Sequence, residues 1–258
     1  MNPKTKQVPF IQEAPHLGNQ FLEDSALLDY MQFLLPQEII HTAKDDLINL
    51  GHRVIAEVQG YANDAERNQP THEPYDAWGN RIDKIHTTLG WKELKRVAAE
   101  EGIVGFGYEN HYGEHRRLLQ MIRLYLYAPS SGLFNCPLAM TDGAAYLLKN
   151  ILQKDGDSLD PQVKKRVQNA FNHLISRDPK QFWTSGQWMT ERRGGSDVSR
   201  ATETIAEQEK GPKFRLYGDK WFTSAAESEM CVTLARVVDP NVRDFIFNET
   251  NPSLQIGC

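Results

Sequence analysis

The spacing of apolar residues changes once along the chain, and this change limits the fold more than any other feature. From about residue 36 to residue 174, apolar side chains recur every three or four positions, which places them on one stripe of a helix. After about residue 181 the chain consists of short segments rich in aromatic and β-branched residues, separated by glycines. The pattern predicts an all-helical part followed by a β part, which is an α+β fold.

Five helices are predicted in the first part. They cover approximately residues 36–60, 90–101, 114–127, 137–152 and 161–179. Pro36 suits a first helical turn, and Gly60 is expected to end that helix. Asp160 and Pro161 are expected to cap and open the fifth helix. Residues 75–82 are predicted to form a turn between two short extended pieces.

Three strands are predicted in the second part, at residues 214–217, 220–224 and 230–238. The expected organisation has an extended arm, a helical domain and a partial, antiparallel β domain, at residues 1–20, 21–180 and 181–258. The arm is expected because three prolines fix its backbone and remove hydrogen-bond donors.

Composition excludes several classes of protein. The net charge of −5 argues against a nucleic-acid-binding protein, which usually carries a basic patch. Three cysteines without metal spacing favour a reducing compartment, and the histidines form no metal-binding pattern, so no metal site is predicted. No apolar run reaches about 18 residues, so no membrane span is predicted. Cytosol is the default location, with the mitochondrion and the peroxisome as alternatives.

The first run with chemical potential is MTERRGGSDV, residues 189–198. It places a hydroxyl residue, Thr190, at the end of a strand, followed by two glycines that let the backbone approach a ligand. Ser196 then adds a hydroxyl and an N–H group, so the loop could present several donors to carbonyl or phosphate oxygens. A β-turn with the two glycines at positive φ is an equally good interpretation of this pattern.

The second run is YGDKWFTSAA, residues 217–226. As a strand, it would place Trp221 and Thr223 on one face, and Phe222 and Ser224 on the other. A face with an aromatic ring and a hydroxyl can stack on a flat ring and bond one of its heteroatoms. A strand with a buried aromatic residue is the alternative.

In this order, and about thirty residues apart, the two runs resemble motifs of the acyl-CoA dehydrogenases. That family has a Thr-Glu-x-x-x-Gly-Ser-Asp segment followed by a Gly-x-Lys-x-aromatic-x-Ser/Thr segment. The matching residues are Thr190, Glu191, Gly195, Ser196 and Asp197, and then Gly218, Lys220, Phe222 and Ser224. The two runs, together with residues 75–83 and 133–141, are most similar to the AidB-like branch. The resemblance covers about residues 15–238.

The resemblance implies an FAD site. The cofactor-binding residues that it implies are Met189, Thr190, Gly195, Ser196, Phe222, Thr223 and Ser224. Thr190 is expected to bond the pyrimidine edge of the flavin, Phe222 to pack on its ring, and Ser224 to lie near N5. Ser196 is also expected to contact the acyl-CoA substrate.

The resemblance also implies an activity for the full-length form, the α,β-dehydrogenation of a fatty acyl-CoA. The base of the family is a glutamate in a C-terminal helical domain, so no catalytic residue is predicted within residues 1–258. Glu191 is instead expected to be a loop carboxylate that accepts hydrogen bonds from backbone N–H groups. The full-length form is expected to be a homo-oligomer, and the electron acceptor is not identified by the sequence.

Two other functions stay open. The first is a non-catalytic module that binds acyl-CoA or flavin, and the second is an association with DNA repair, which AidB-like relatives suggest and the acidic charge argues against. Beyond residues 239–240 the likeness fades, which predicts a splice product, a truncated gene model or a fragment.

Overall fold

The computed structural model describes residues 12–238 and contains helices and small sheets, so the predicted α+β class is confirmed. Its α-helices are α1 (Ser25–Leu34), α2 (Gln37–Arg53), α3 (Gln59–Arg67), α4 (Leu89–Glu100), α5 (Arg116–Tyr127), α6 (Asn135–Lys154), α7 (Pro161–Leu174) and α8 (Val198–Ala201). Its strands are β1 (Thr71–Tyr75), β2 (Arg81–His86), β3 (Ser185–Trp188), β4 (Ile205–Gln208), β5 (Phe214–Tyr217), β6 (Met230–Thr233) and β7 (Arg236–Val238). None of these helices is long and apolar enough to cross a membrane.

The first predicted helix is longer than expected. The π-helical segment Val54–Val58 joins α2 directly to α3, so the helix continues to Arg67 and the predicted end at Gly60 is wrong. A helical glycine costs only about 1 kcal/mol relative to alanine. Val54, Val58 and Ala62 are buried on one side of this helix, and their burial outweighs that cost.

Side chains close the ends of other helices. Asp160 accepts a hydrogen bond from the backbone N–H of Gln162 at 2.8 Å, which confirms the predicted cap of α7. That helix ends at Leu174, before the predicted residue 179, because the chain turns back there. The N–H of Trp183 donates to the carbonyl of His173. The first helix, α1, was not predicted and is capped by Asp24.

Residues 75–82 form the predicted turn between extended pieces. β1 and β2 pair antiparallel, and the carboxylate of Asp76 accepts hydrogen bonds from the N–H groups of Trp78 and Asn80, each at 2.9 Å. Both strands are largely exposed. The hairpin therefore owes its shape to local hydrogen bonds and not to a core.

The hydrophobic core lies in the helical part. Its fully buried members include Phe21, Met31, Leu47, Leu50, Val54, Val58, Leu94, Val97, Ile103, Leu119, Tyr127, Phe134 and Leu138. Each large apolar side chain that leaves water contributes about 1.5–3 kcal/mol. The Tyr127 hydroxyl donates to the carbonyl of Leu94 at 3.0 Å, so its polar atom is also satisfied inside the core.

The second part has mixed strand pairing, whereas an antiparallel domain was predicted. β3 pairs parallel with β6, and β4 pairs antiparallel with β5 and parallel with β7. Long connections permit parallel pairing, and more than forty residues separate β3 from β6. The predicted strand 214–217 is confirmed as β5. The predicted strand 230–238 is divided into β6 and β7, because each piece joins a different sheet.

Residues 220–224 do not form the predicted strand. Phe222 and Ala225 adopt positive φ values of 55° and 54°, so the chain turns there instead of extending. The predicted alternation of side chains along this segment is therefore wrong. Of the predicted N-terminal arm, residues 12–18 have no regular secondary structure, and residues 1–11 lie outside the described residues.

Candidate functional site

The two conspicuous runs of the sequence meet in space. The backbone N–H of Trp221 donates to the backbone carbonyl of Thr190 at 2.9 Å. Together the runs form the wall of a cavity of about 580 Å³. The residues that line it are Thr190, Glu191, Arg192, Arg193, Gly194, Gly195, Trp221 and Phe222.

The carboxylate of Glu191 holds this arrangement together. It accepts hydrogen bonds from the N–H of Glu203 at 2.5 Å, and from the N–H and hydroxyl of Thr204 at 3.1 Å and 2.6 Å. It also accepts one from the Nζ of Lys220 at 2.7 Å. Lys220 donates in addition to the carbonyl of Leu234 at 2.8 Å. One side chain of the first run thus fixes the second run and the beginning of β4.

Glu191 is an anion at neutral pH. Burial acts to raise its pKa, but the hydrogen bonds from Lys220, Thr204 and the backbone outweigh burial and lower the pKa to about 2. These contacts match the expectation of a loop carboxylate that accepts from backbone N–H groups. With all its strong contacts directed at the protein, Glu191 is unsuited to remove a proton from a substrate.

Residues 191–194 form a tight turn closed by two backbone hydrogen bonds between Glu191 and Gly194, at 3.0 Å and 3.1 Å. Neither Gly194 nor Gly195 has a positive φ, so the alternative interpretation of a positive-φ glycine pair is wrong. Gly194 is needed for a different reason. A Cβ at this position would lie 2.2 Å from the Cβ of Ala201, which means that α8 packs directly against the turn.

Arg192 and Arg193 occupy the two central positions of this turn and are exposed. The guanidinium of Arg193 forms an ion pair with Glu203 at 3.0 Å. The guanidinium of Arg192 lies over the ring of Trp221, 5.5 Å from its centroid. The two adjacent arginines therefore have different partners.

The seven residues predicted to bind the cofactor are distributed unevenly around the cavity. Thr190, Gly195 and Phe222 line the cavity. The remaining predicted residues, Met189, Ser196, Thr223 and Ser224, are close in sequence but are not among the lining residues. Phe222 is 80% exposed, so its ring is available to a ligand.

Sequence reasoning missed the Glu191–Lys220 pair and the contributions of Arg192 and Trp221 to the cavity wall. The pair had a signal, since two residues of opposite charge lie at fixed positions of the two motifs. The joint contribution of Trp221 and Phe222 had none, because a strand would place the two rings on opposite faces.

A second cavity, of about 480 Å³, lies between the helical part and the segment after Phe222. Its lining residues are Ala65, Glu66, Asn68, Gln69, Pro70, Ile85, Thr87, Thr88, Trp91, Gly132, Leu133, Ala225, Ala226 and Glu227. The indole N–H of Trp91 donates to the carboxylate of Glu227 at 2.8 Å. The carboxylate of Glu229 pairs with Lys95 and accepts from the N–H of Thr184. The contacts of Glu227 and Glu229 attach the segment before β6 to α4.

Residues 12–169 match the family model of the adaptive response protein AidB N-terminal domain. The acyl-CoA dehydrogenase family member 11 of Caenorhabditis elegans is 42% identical over 232 residues, which are 89% of this chain and 36% of that protein. The putative acyl-CoA dehydrogenase AidB of Escherichia coli K12 is 29% identical over 221 residues, 85% of this chain and 39% of that protein. The chain thus spans less than two fifths of the length of these relatives.

Solved structures of similar proteins match the chain as well. The crystal structure of Caenorhabditis elegans ACDH-11 in complex with C11-CoA has a TM-score of 0.83 and 40% identity, and the match covers 93% of this chain and 40% of that one. The apo form of Bd2924 has a TM-score of 0.79 and 48% identity, with 88% and 44% of the two chains covered.

Proposed function

Since the chain belongs to the AidB-like acyl-CoA dehydrogenase family, we propose that the 580 Å³ cavity holds the ring system of FAD. The observation that carries this proposal is the junction of the two runs. They are joined by the Trp221–Thr190 hydrogen bond and by the Glu191–Lys220 ion pair. Two segments about thirty residues apart in the sequence thereby form the wall of one cavity that is large enough for a ligand.

The residues present fit a flavin ring. The cavity volume falls within the range of about 300–1,000 Å³ that is usual for small-molecule sites. Trp221 and Phe222 are 47% and 80% exposed beside it, and exposed aromatic rings can pack on a flat heterocycle. Thr190 supplies a hydroxyl that can bond a polar edge of the ring.

In this proposal Thr190 bonds the pyrimidine edge of the flavin, and Phe222 packs on the ring. Gly195 borders open space at the cavity, since among the described residues a Cβ there would meet only the methyl group of Thr190, at 3.6 Å. The roles of Met189, Ser196, Thr223 and Ser224 stay predictions from the family motifs. Bound flavin supplies an acceptor for hydride, and the protein positions it.

We further propose that a longer protein containing this chain performs α,β-dehydrogenation of a fatty acyl-CoA. The support is the family membership and the structural likeness to ACDH-11, which was solved with C11-CoA. Within residues 12–238, Glu191 is the one carboxylate that lines the flavin cavity, and its hydrogen bonds make it unsuited as a base. The described residues therefore provide binding and orientation, and proton abstraction needs a group from elsewhere.

The experiment is a visible absorbance spectrum of the purified chain after incubation with FAD and removal of the excess. We expect a retained flavin band that differs from that of free FAD. Thr190→Val should weaken retention by roughly tenfold, the effect of one lost hydrogen bond to a ligand. Thr71→Val, on the exposed strand β1, is the matched control and should behave like the wild type.

A folded wild-type chain that retains no flavin would contradict the proposed flavin site. If flavin is retained, acyl-CoA is added next. Loss of the oxidised flavin band would show that the substrate reduces the flavin. A stable band is expected of this chain if the base comes from elsewhere, so the same addition is made to a longer protein that contains the chain. A stable band there would favour the alternative, a module that binds flavin without catalysis.

A further inference from the structure

The turn at residues 191–194 places two arginines side by side at the flavin cavity, and their environments differ. Arg193 forms an ion pair with Glu203 at 3.0 Å. Arg192 has no ion pair among residues 12–238 and lies instead over the indole of Trp221. Its charge is available to a ligand, whereas that of Arg193 is already compensated.

The charges of the cavity wall support the same distinction. Glu191 is the one carboxylate among the lining residues, and it is neutralised by Lys220 at 2.7 Å. With Glu191 and Arg193 both paired, the wall has one uncompensated charge, the positive charge of Arg192. Such a wall attracts an anion.

The position of Arg192 is built into the structure. Its turn is closed by two backbone hydrogen bonds. The backbone of Trp221 is held by a hydrogen bond from its N–H to the carbonyl of Thr190. A guanidinium held over an indole face keeps its planar set of N–H donors free at its edges. Those donors match the geometry of phosphate oxygens, which arginine binds in pairs.

We infer that Arg192 is a specificity-determining residue that recognises a phosphate group of the ligand in this cavity. The inference rests on the proposed function, since it assumes that FAD or an acyl-CoA binds here. Both ligands carry phosphate, and the chemistry of recognition is the same for either source. Trp221 positions the guanidinium of Arg192. Arg193 contributes less to phosphate binding, because its guanidinium is paired with Glu203.

The test compares Arg192→Gln with Arg193→Gln, and uses Arg116→Gln, on α5 and outside the cavity, as the control. Each purified chain is titrated with FAD, with riboflavin, which lacks phosphate, and with C11-CoA. Flavin binding is followed by quenching of flavin fluorescence, and C11-CoA binding by calorimetry. A lost charge-assisted contact should weaken binding by roughly tenfold or more.

If the phosphate belongs to the flavin, Arg192→Gln weakens FAD at least about tenfold and leaves riboflavin within about twofold of the wild type. If it belongs to CoA, the same loss occurs with C11-CoA and not with FAD. In either case Arg193→Gln should lose less affinity for the phosphate-bearing ligand than Arg192→Gln does, and Arg116→Gln should bind it like the wild type.

Equal weakening of FAD and riboflavin would overturn the inference, because Arg192 would then act on the ring and not on phosphate. Unchanged binding of both phosphate-bearing probes to Arg192→Gln, or an equal loss in Arg193→Gln, would overturn it as well. In these cases the wild type still binds and the proposed function stands. A wild-type chain that binds none of the three probes would overturn both.

Discussion

The helical part and the part that carries the cavity are stabilised in different ways. The helical part buries a continuous set of large apolar side chains, among them Leu47, Leu50 and Leu94. The buried residues at residues 184–206 are mostly polar, with Glu191 and Thr204 as members of one hydrogen-bond network. The comparison indicates that the first part is a scaffold that resists local change. The geometry of the second part depends on hydrogen bonds and on one buried ion pair, Glu191–Lys220.

The largest expected effect comes from the scaffold. Leu50→Ala should reduce the free energy of unfolding by about 2–5 kcal/mol, because the side chain is fully buried and its removal leaves a cavity. Urea denaturation followed by far-UV circular dichroism measures the loss. Leu89→Ala is the matched control, since Leu89 is 71% exposed, and should change stability by no more than about 0.5 kcal/mol. Equal losses in the two variants would contradict the assigned core.

The next effect should be confined to the second part. Glu191→Gln weakens the contacts with Lys220 and Thr204, and should lower the local opening free energy of β4 by about 1–3 kcal/mol. Amide hydrogen exchange measures this opening peptide by peptide. In the control, Glu203→Gln, the lost ion pair is exposed, so a loss below about 1 kcal/mol is expected. A loss of protection in α2 or α4 as large as that in β4 would show that the two parts are not separable.

The pH dependence sharpens the same point. The pKa of Glu191 is lowered from its ordinary 4.5 to about 2, so its stabilising contribution is present above pH 4.5 and is lost as the pH falls toward 2. Between pH 4.5 and pH 3 the free energy of β4 opening should fall by about 1–2 kcal/mol more in the wild type than in Glu191→Gln. Hydrogen exchange over this pH range gives the difference. Parallel pH profiles for the two proteins would mean that Glu191 is not the titrating group.

The smallest effect is expected at the hairpin. Trp78 is 88% exposed at the turn between β1 and β2, and the turn is fixed by Asp76 rather than by the indole. Trp78→Ala should therefore change the free energy of unfolding by no more than about 0.5 kcal/mol. Urea denaturation measures this change. A loss of more than about 1 kcal/mol in the free energy of unfolding would show that Trp78 has a structural contact beyond those described.

Most helices of the first part were predictable from the sequence because their burial follows a local period, whereas α1 was not predicted. The apolar stripe from α2 to Val58 and the Asp160 cap of α7 required only nearby residues. The extent of the first helix was not predictable from Gly60 alone, since the burial of Val54, Val58 and Ala62 overrode a weak local preference.

The second part was less predictable because its order comes from distant partners. The parallel pairing of β3 with β6 and the Glu191–Lys220 pair join residues far apart in the sequence. Residues 220–224 have the composition of a strand, yet the positive φ of Phe222 turns the chain at that point. The motifs located the candidate site, but its wall could not be assembled from them. Arg192 and Trp221 came to it through the turn and the hydrogen bond to Thr190.

The most direct test of the central claim, a flavin site formed by two loops on a helical scaffold, is hydrogen exchange of the full chain with and without FAD. We predict that FAD slows exchange in peptides covering residues 188–196 and 218–226, while peptides of α2 and α5 change little. Unchanged exchange in both loops at saturating FAD, or protection confined to the helical part, would contradict the account.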